Sequence, residues 1–251
     1  MVVPSTNLSA LIFQQAEQHS DRCVFLGNDG RSVTYCQLAE LVARMKMQFS
    51  QMGVCPQDRV AIVLPNGPEL ALAFLGTAAC AACAPLNPNY TAAEFEFYLS
   101  DLEAKRLILF QGDQSAARQV AEQRGIPVID LIPNLGGEPI GFKLVGSTVP
   151  GAEEQEYGRA NEIALVLHTS GTTSRPKMVP LTHENILASA RHIGRTLSLN
   201  EDDRCINTMP LFHIHGLIAI VVSSVMAGAS VVCLPGFEVD TFFKAIQLFH
   251  P

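Results

Sequence analysis

Hydroxyl groups, one glycine and one ammonium crowd a single stretch of this chain. Between Leu165 and His183 the sequence reads LVLHTSGTTSRPKMVPLTH. An apolar run leads into His168-Thr169-Ser170-Gly171-Thr172-Thr173-Ser174-Arg175-Pro176-Lys177, five of which carry hydroxyls. Small residues let backbone N–H groups approach an anion, while hydroxyls and an ammonium add donors around phosphate oxygens. The pattern is not a Walker A loop, because Pro176 stands where that motif has its second glycine. Ser/Thr-rich composition alone also describes an ordinary polar surface loop. The ordered string, after a strand and before a capped helix, favours phosphate chemistry.

Other reactive residue types have plainer readings beside functional ones. His213 lies among Phe212, Ile214 and Leu217, and a lone histidine in such company is either a packing residue or a functional one. His215 reads as packing, and Met209 and Phe212 read as core. Cys80-Ala81-Ala82-Cys83 has the spacing of a zinc half-site or a redox pair. No second such pair and no spaced histidines accompany it, so a packed helix-to-strand corner is the better reading. Glu153-Glu154 and Asp202-Asp203 fall in turns and read as solvated surface. His183 opens a helix and is assigned no role.

The elements that would position these residues alternate. A short amphipathic helix is marked by Leu8, Leu11, Ile12 and Ala16. Thr34-x-x-Gln37 is a capping box for a second helix, with Leu38, Leu41, Val42, Met45, Phe49 and Met52 at helical spacing and Gly53 as its stop. Arg59–Leu64 reads as a buried strand ending at Pro65-Asn66-Gly67, and Pro68 opens the next helix. Thr91-x-x-Glu94 caps another helix through Leu102. Residues 106–110 and 127–131 read as strands. The segment 133–161 has no sustained period and reads as a long connection. Beyond it, 163–167, 204–209 and 229–234 read as strands, and 182–197, 215–227 and 239–249 as helices. Strands separated by helices imply mainly parallel sheets covered on both faces. The fold class is therefore α/β, with two packed subdomains: 1–160, including the trailing connection, and 161–251. The second begins its own sheet at Ile163 and is incomplete.

Composition narrows the function. The 251 residues carry 17 basic and 24 acidic side chains, a net charge of −7, with 48% apolar residues. That excludes a disordered chain and leaves no basic footprint for nucleic acid. Leu217 to Met226, the most apolar stretch of the second half, is about half the length a bilayer span requires. Seven cysteines cannot all pair with one another, and the N-terminus lacks a basic leader. A cytoplasmic location with free thiols follows as the expectation.

The Leu165–His183 stretch resembles the phosphate-binding signature of the adenylate-forming superfamily, which includes acyl-CoA synthetases, firefly luciferases and peptide-synthetase adenylation domains. Val33-Thr34-Tyr35 with Gln37-Leu38 resembles the first core motif of that family, and Ala84-Pro85-Leu86-Asn87-Pro88 resembles the second. Asn207-Thr208-Met209-Pro210-Leu211-Phe212-His213-Ile214-His215-Gly216 resembles the fourth. The motifs occur in family order and span Val33 to Pro235. Two positions depart from it: Ser174 and Met178 stand where glycine is usual. A methionine would strain a position that needs positive φ.

The resemblance implies an AMP-forming acid–thiol ligase, closest to acyl-CoA synthetases of short-chain and dicarboxylate type. Such enzymes activate a small-molecule carboxylic acid with ATP and Mg2+ and pass the acyl group to coenzyme A. It implies that Thr169, Ser170, Gly171, Thr172, Thr173 and Lys177 cradle the β- and γ-phosphates. His213, the catalytic candidate, would border the acyl and thiol pockets. The family's adenine, ribose, magnesium and catalytic-lysine residues belong to later motifs that these 251 residues do not contain. The chain thus reads as the N-terminal part of such an enzyme, inactive alone. The alternative is a naturally short, non-catalytic binding module that retains a phosphate-binding loop.

Overall fold

Both capping boxes read from the sequence form, and they start two of the helices that frame the molecule. In this computed structural model, which describes residues 5–134, 136, 139–152, 155–169 and 176–251, Thr34 and Thr91 each accept a bond from the backbone three residues on. Gln37 and Glu94 return it. The chain runs α1 (Leu8–His19), β1 (Cys23–Gly27), β2 (Ser32–Thr34), α2 (Tyr35–Gln51), β3 (Arg59–Ile62), α3 (Pro68–Ala78), β4 (Ala82–Pro85) and α4 (Ala92–Asp101). It continues through β5 (Arg106–Phe110), α5 (Ala116–Gln123), β6 (Val128–Pro133), β7 (Phe142–Val145), β8 (Ile163–Thr169), β9 (Lys177–Thr182) and α6 (His183–Leu197). Then follow β10 (Arg204–Asn207), a π-helical segment (His215–Val222), α7 (Ser223–Ala227), β11 (Ser230–Cys233) and α8 (Val239–Phe249).

Two sheets result. The larger has the order β7-β6-β5-β3-β4-β8-β9, parallel from β6 to β8 and antiparallel at both ends. Its central strands β3 and β5 are apolar after a leading arginine, and β4 is apolar throughout, because both faces are covered there. Val60, Ile62, Cys83 and Ile108 face one core together with α2 and α3, while Ala61, Val63, Leu107 and Leu109 face another under α4 and α5. The side chains alternate faces, as the pleat requires. The smaller sheet, β10-β11-β1-β2, is parallel except for the β1–β2 hairpin. Between the sheets lies α3, PELALAFLGTA, apolar on all sides and buried from Pro68 to Ala78 except at Glu69. A helix without a polar face has to sit inside a core.

The expectation that Ile163–Leu234 begins a second sheet is corrected. β8 and β9 extend the larger sheet through β4, and β10 and β11 pair with β1 from the N-terminal region. Residues on both sides of position 160 therefore contribute to each sheet. The apolar β8 fills a parallel slot beside β4, a pairing set by distant residues that local periodicity does not reveal. Segment 133–161, read as a connection, contains β7, whose alternating burial packs Phe142 and Leu144 inward. Cys80 and Cys83 are buried, unpaired thiols at the corner from α3 into β4. Among the described residues no helix is long and apolar enough to cross a membrane.

Candidate functional site

The hydroxyl-rich segment is held at both ends by one antiparallel ladder. Leu167 pairs with Val179, His168 with Met178 and Thr169 with Lys177. Opposed residues in such a ladder lie about 4.5–5.5 Å apart, so Thr169 and Lys177 stand side by side. Lys177, read from sequence as part of a loop, is the first residue of β9. It is exposed, and among the described residues it makes no ion pair. Ser170, Gly171, Thr172 and Thr173, with Ser174 and Arg175, lie outside the described residues.

A small aromatic and polar cluster anchors this stem. The Nε2 atom of His168 lies 3.0 Å from Oδ2 of Asp101, with the His168 side chain only 5% exposed. The Tyr98 ring meets His168 edge-on with centroids 4.8 Å apart, and Tyr90 stacks on Tyr98 at 4.6 Å. Met178, opposite His168 in the ladder, packs like Tyr90 and Tyr98 onto the core under α4 and α5. The capping box at Thr91 starts α4, and Tyr98 and Asp101, three residues apart, share the helix face that reaches β8. Met178 adopts extended backbone and is not among the residues with positive φ. The strain considered for methionine at this position is therefore absent, and the side chain packs on that core. Tyr98 and Asp101 carry no sequence signal of this role, because they precede His168 by about seventy residues.

At the far end of β9, Thr182 caps α6, and His183 is buried. Its Nδ1 accepts a hydrogen bond from the Leu8 N–H at 3.3 Å. Burial pushes the imidazole down to about 4, against an opposing pull from the Glu162 carboxylate. His183 thus ties the first turn of α1 to the helix that follows the stem, a structural role the sequence did not disclose.

His213 stands in a tight turn beyond β10. Asn207 is fully buried; its Oδ1 accepts from the Met209 N–H at 3.0 Å and its Nδ2 donates to the Met209 carbonyl at 3.1 Å. The His213 N–H donates to the Pro210 carbonyl, and the His213 carbonyl accepts from Leu217 to begin the π segment. Gly216 lets that segment press on the turn: a Cβ there would sit 2.7 Å from the Pro210 carbonyl oxygen. A π segment is a wide, uncommon turn of helix found often at functional sites. The His213 ring is exposed and tilted against Phe212, with centroids 4.7 Å apart. Two readings are corrected here. Met209 is 37% exposed and Phe212 half-buried, not core, because the turn directs Leu211 inward instead. His215 is exposed as well.

The structure therefore joins Thr169 to Lys177 and leaves His213 on a separate segment. Among the described residues His213 shares no hydrogen bond or ring contact with either of them. Both segments follow the carboxyl ends of parallel strands, β8 in one sheet and β10 in the other. Open α/β sheets bind ligands at such ends.

Comparison with known proteins matches residues 12–251 to the model of the AMP-binding enzyme family. An oxalate–CoA ligase of Arabidopsis thaliana is 35% identical over 98% of this chain and 49% of its own length. A probable CoA ligase of Humulus lupulus is 39% identical over 94% of this chain and 46% of its own. The crystal structure of ATP-bound MatB from Rhodopseudomonas palustris superposes with a TM-score of 0.80 at 25% identity, covering 98% of this chain and 48% of that one. The chain thus spans about half the length of the relatives it matches.

Proposed function

This chain belongs to the AMP-binding enzyme family, and from that premise we propose that it forms the N-terminal part of an ATP-dependent acyl-CoA synthetase. The activity is activation of a carboxylic acid as its acyl-adenylate, followed by transfer to coenzyme A. The observation that carries this reading is the Thr169–Lys177 pairing. It sets a hydroxyl and an ammonium at the two ends of a segment rich in further hydroxyls, with no carboxylate paired to the lysine among the described residues. Such a donor set fits phosphate oxygens.

In this reading Thr169, Ser170, Gly171, Thr172, Thr173 and Lys177 hold the β- and γ-phosphates of ATP. Attack of the carboxylate on the α-phosphate then depends on in-line placement and charge neutralisation. His213 borders the acyl and thiol pockets from its own turn. Among the described residues no cluster of three or more His, Cys, Asp or Glu could hold a metal. The oxalate–CoA ligase relative supports a short dicarboxylic acid as the substrate class. The unpaired thiols support a reducing, cytoplasmic setting.

Carboxylate-dependent exchange of pyrophosphate into ATP tests the proposal. The full-length protein should catalyse it with a short dicarboxylate, and the 251-residue chain should not exceed a no-protein blank. Exchange by the chain alone would contradict its assignment as a part. A full-length protein inert to a panel of short, aromatic and long-chain acids, yet binding ATP, would favour a non-catalytic module.

A further inference from the structure

One side chain links strand exits in both sheets to the turn that bears His213. Asn66 follows β3 in Pro65-Asn66-Gly67, just before Pro68 opens α3. Its Nδ2 donates to the carbonyl of Leu234, the residue after β11, at 2.7 Å. Its Oδ1 accepts from the Leu211 N–H, inside the His213 turn, at 2.8 Å. Turning the amide over would set oxygen against oxygen and N–H against N–H, so the two partners define its orientation. The Leu234 N–H in turn donates to the Asn207 carbonyl at 3.1 Å, and the Asn207 side chain holds Met209. Asn66, Leu234, Asn207 and the 209–211 segment thereby close a ring of hydrogen bonds beneath His213.

We infer that Asn66 is a positioning residue for His213. The ring sets the height of the Pro210–His213 turn above the strand ends, and Gly216 packed on the Pro210 carbonyl leaves the turn little room to settle elsewhere. The site needs one donor and one acceptor at once, which a short side-chain amide supplies. An apolar residue supplies neither, and a carboxylate would face the Leu234 carbonyl with like charge. Only the consequence for catalysis rests on the ligase reading; the positioning itself does not.

Two variants separate the elements of this inference. Asn66→Ala removes both bonds, and Asn66→Asp keeps an acceptor for Leu211 while losing the donor to Leu234. In the 251-residue chain, exchange of the Leu211 amide should speed up at least about tenfold in Asn66→Ala, and the His213 ring resonances should move in both variants. In the full-length protein, kcat for acid-dependent turnover should fall about ten- to a hundred-fold in Asn66→Asp, with the KM for ATP held within about threefold. Unchanged Leu211 exchange and unmoved His213 resonances would overturn the inference, as would an equal loss in kcat and in ATP affinity. If neither variant folds, the unaltered chain decides: a Leu211 amide exchanging as fast as a free one refutes it, and a protected one supports it. If the full-length protein proves not to be a ligase, the amide and imidazole readouts still stand.

Discussion

Acidification should destabilise this protein through His183 in a way that one substitution abolishes. Burial holds the folded imidazole at about 4, against 6.5 for the free side chain, and its Nδ1 is already committed as acceptor to the Leu8 N–H. An imidazolium could not accept that bond. Below pH 6.5 the unfolded chain therefore takes up a proton that the folded chain refuses, and stability is lost as pH falls from 6.5 towards 4. Above 6.5 both states are neutral and the contribution is constant. Across the gap of about 2.5 units the full loss approaches about 3 kcal/mol, and between pH 7 and pH 5 it is about 2 kcal/mol. His183→Asn keeps a polar group at the first position of α6 but removes the titration. Urea unfolding followed by far-UV circular dichroism suits a chain without tryptophan. The parent should exceed the variant at pH 7, and that margin should shrink by about 2 kcal/mol at pH 5. Carboxylates titrating elsewhere cancel in the difference. A margin constant to within about 0.5 kcal/mol would refute the burial argument, since each pKa unit is worth about 1.4 kcal/mol.

Gly216→Ala should cost about 1–3 kcal/mol in unfolding free energy, because its Cβ would lie 2.7 Å from a backbone oxygen that has no side-chain freedom to move away; a denaturation midpoint unchanged from the parent would contradict this. Lys177→Ala in the full-length protein should weaken the ATP dependence of adenylation by roughly ten- to a hundred-fold, while thiolysis of preformed acyl-adenylate stays within a few-fold; equal loss in both half-reactions would make the lysine structural. Cys80, whose thiol burial pushes up to about 12 despite the nearby Lys46, should resist iodoacetamide at pH 8 along with buried Cys83 while half-buried Cys36 reacts. Peptide mass spectrometry showing Cys80 modified as fast as Cys36 would indicate an open corner.

Much of this protein is local, and the sequence discloses that part. Capping boxes at Thr34 and Thr91 satisfy helix N-termini with a Gln or Glu three residues away, so they can be read from spacing alone, whereas the box at Thr182 closes on Asn185, outside that pattern. The apolar strands of the larger sheet are legible because burial on both faces demands continuous hydrophobicity, and the hydroxyl-rich stretch is legible because its donors lie within ten consecutive residues. Met178, Asp101, Tyr98 and Asn66 are different. Their roles depend on which strand lies beside β4 and which strand ends face β3, and those pairings join residues tens to hundreds of positions apart. Periodicity placed β8 in one sheet with β10 and β11 because it reports the face a residue presents, not the neighbour it meets. The same limit hid the buried state of His183, whose sequence neighbours are polar, and the outward turn of Met209 and Phe212. Segment 133–161 concealed β7 because a four-residue strand at a sheet edge has too few periods to stand out. Tertiary packing alone decided these, since a side chain acquires its dielectric and its hydrogen-bond partners only when distant segments close around it.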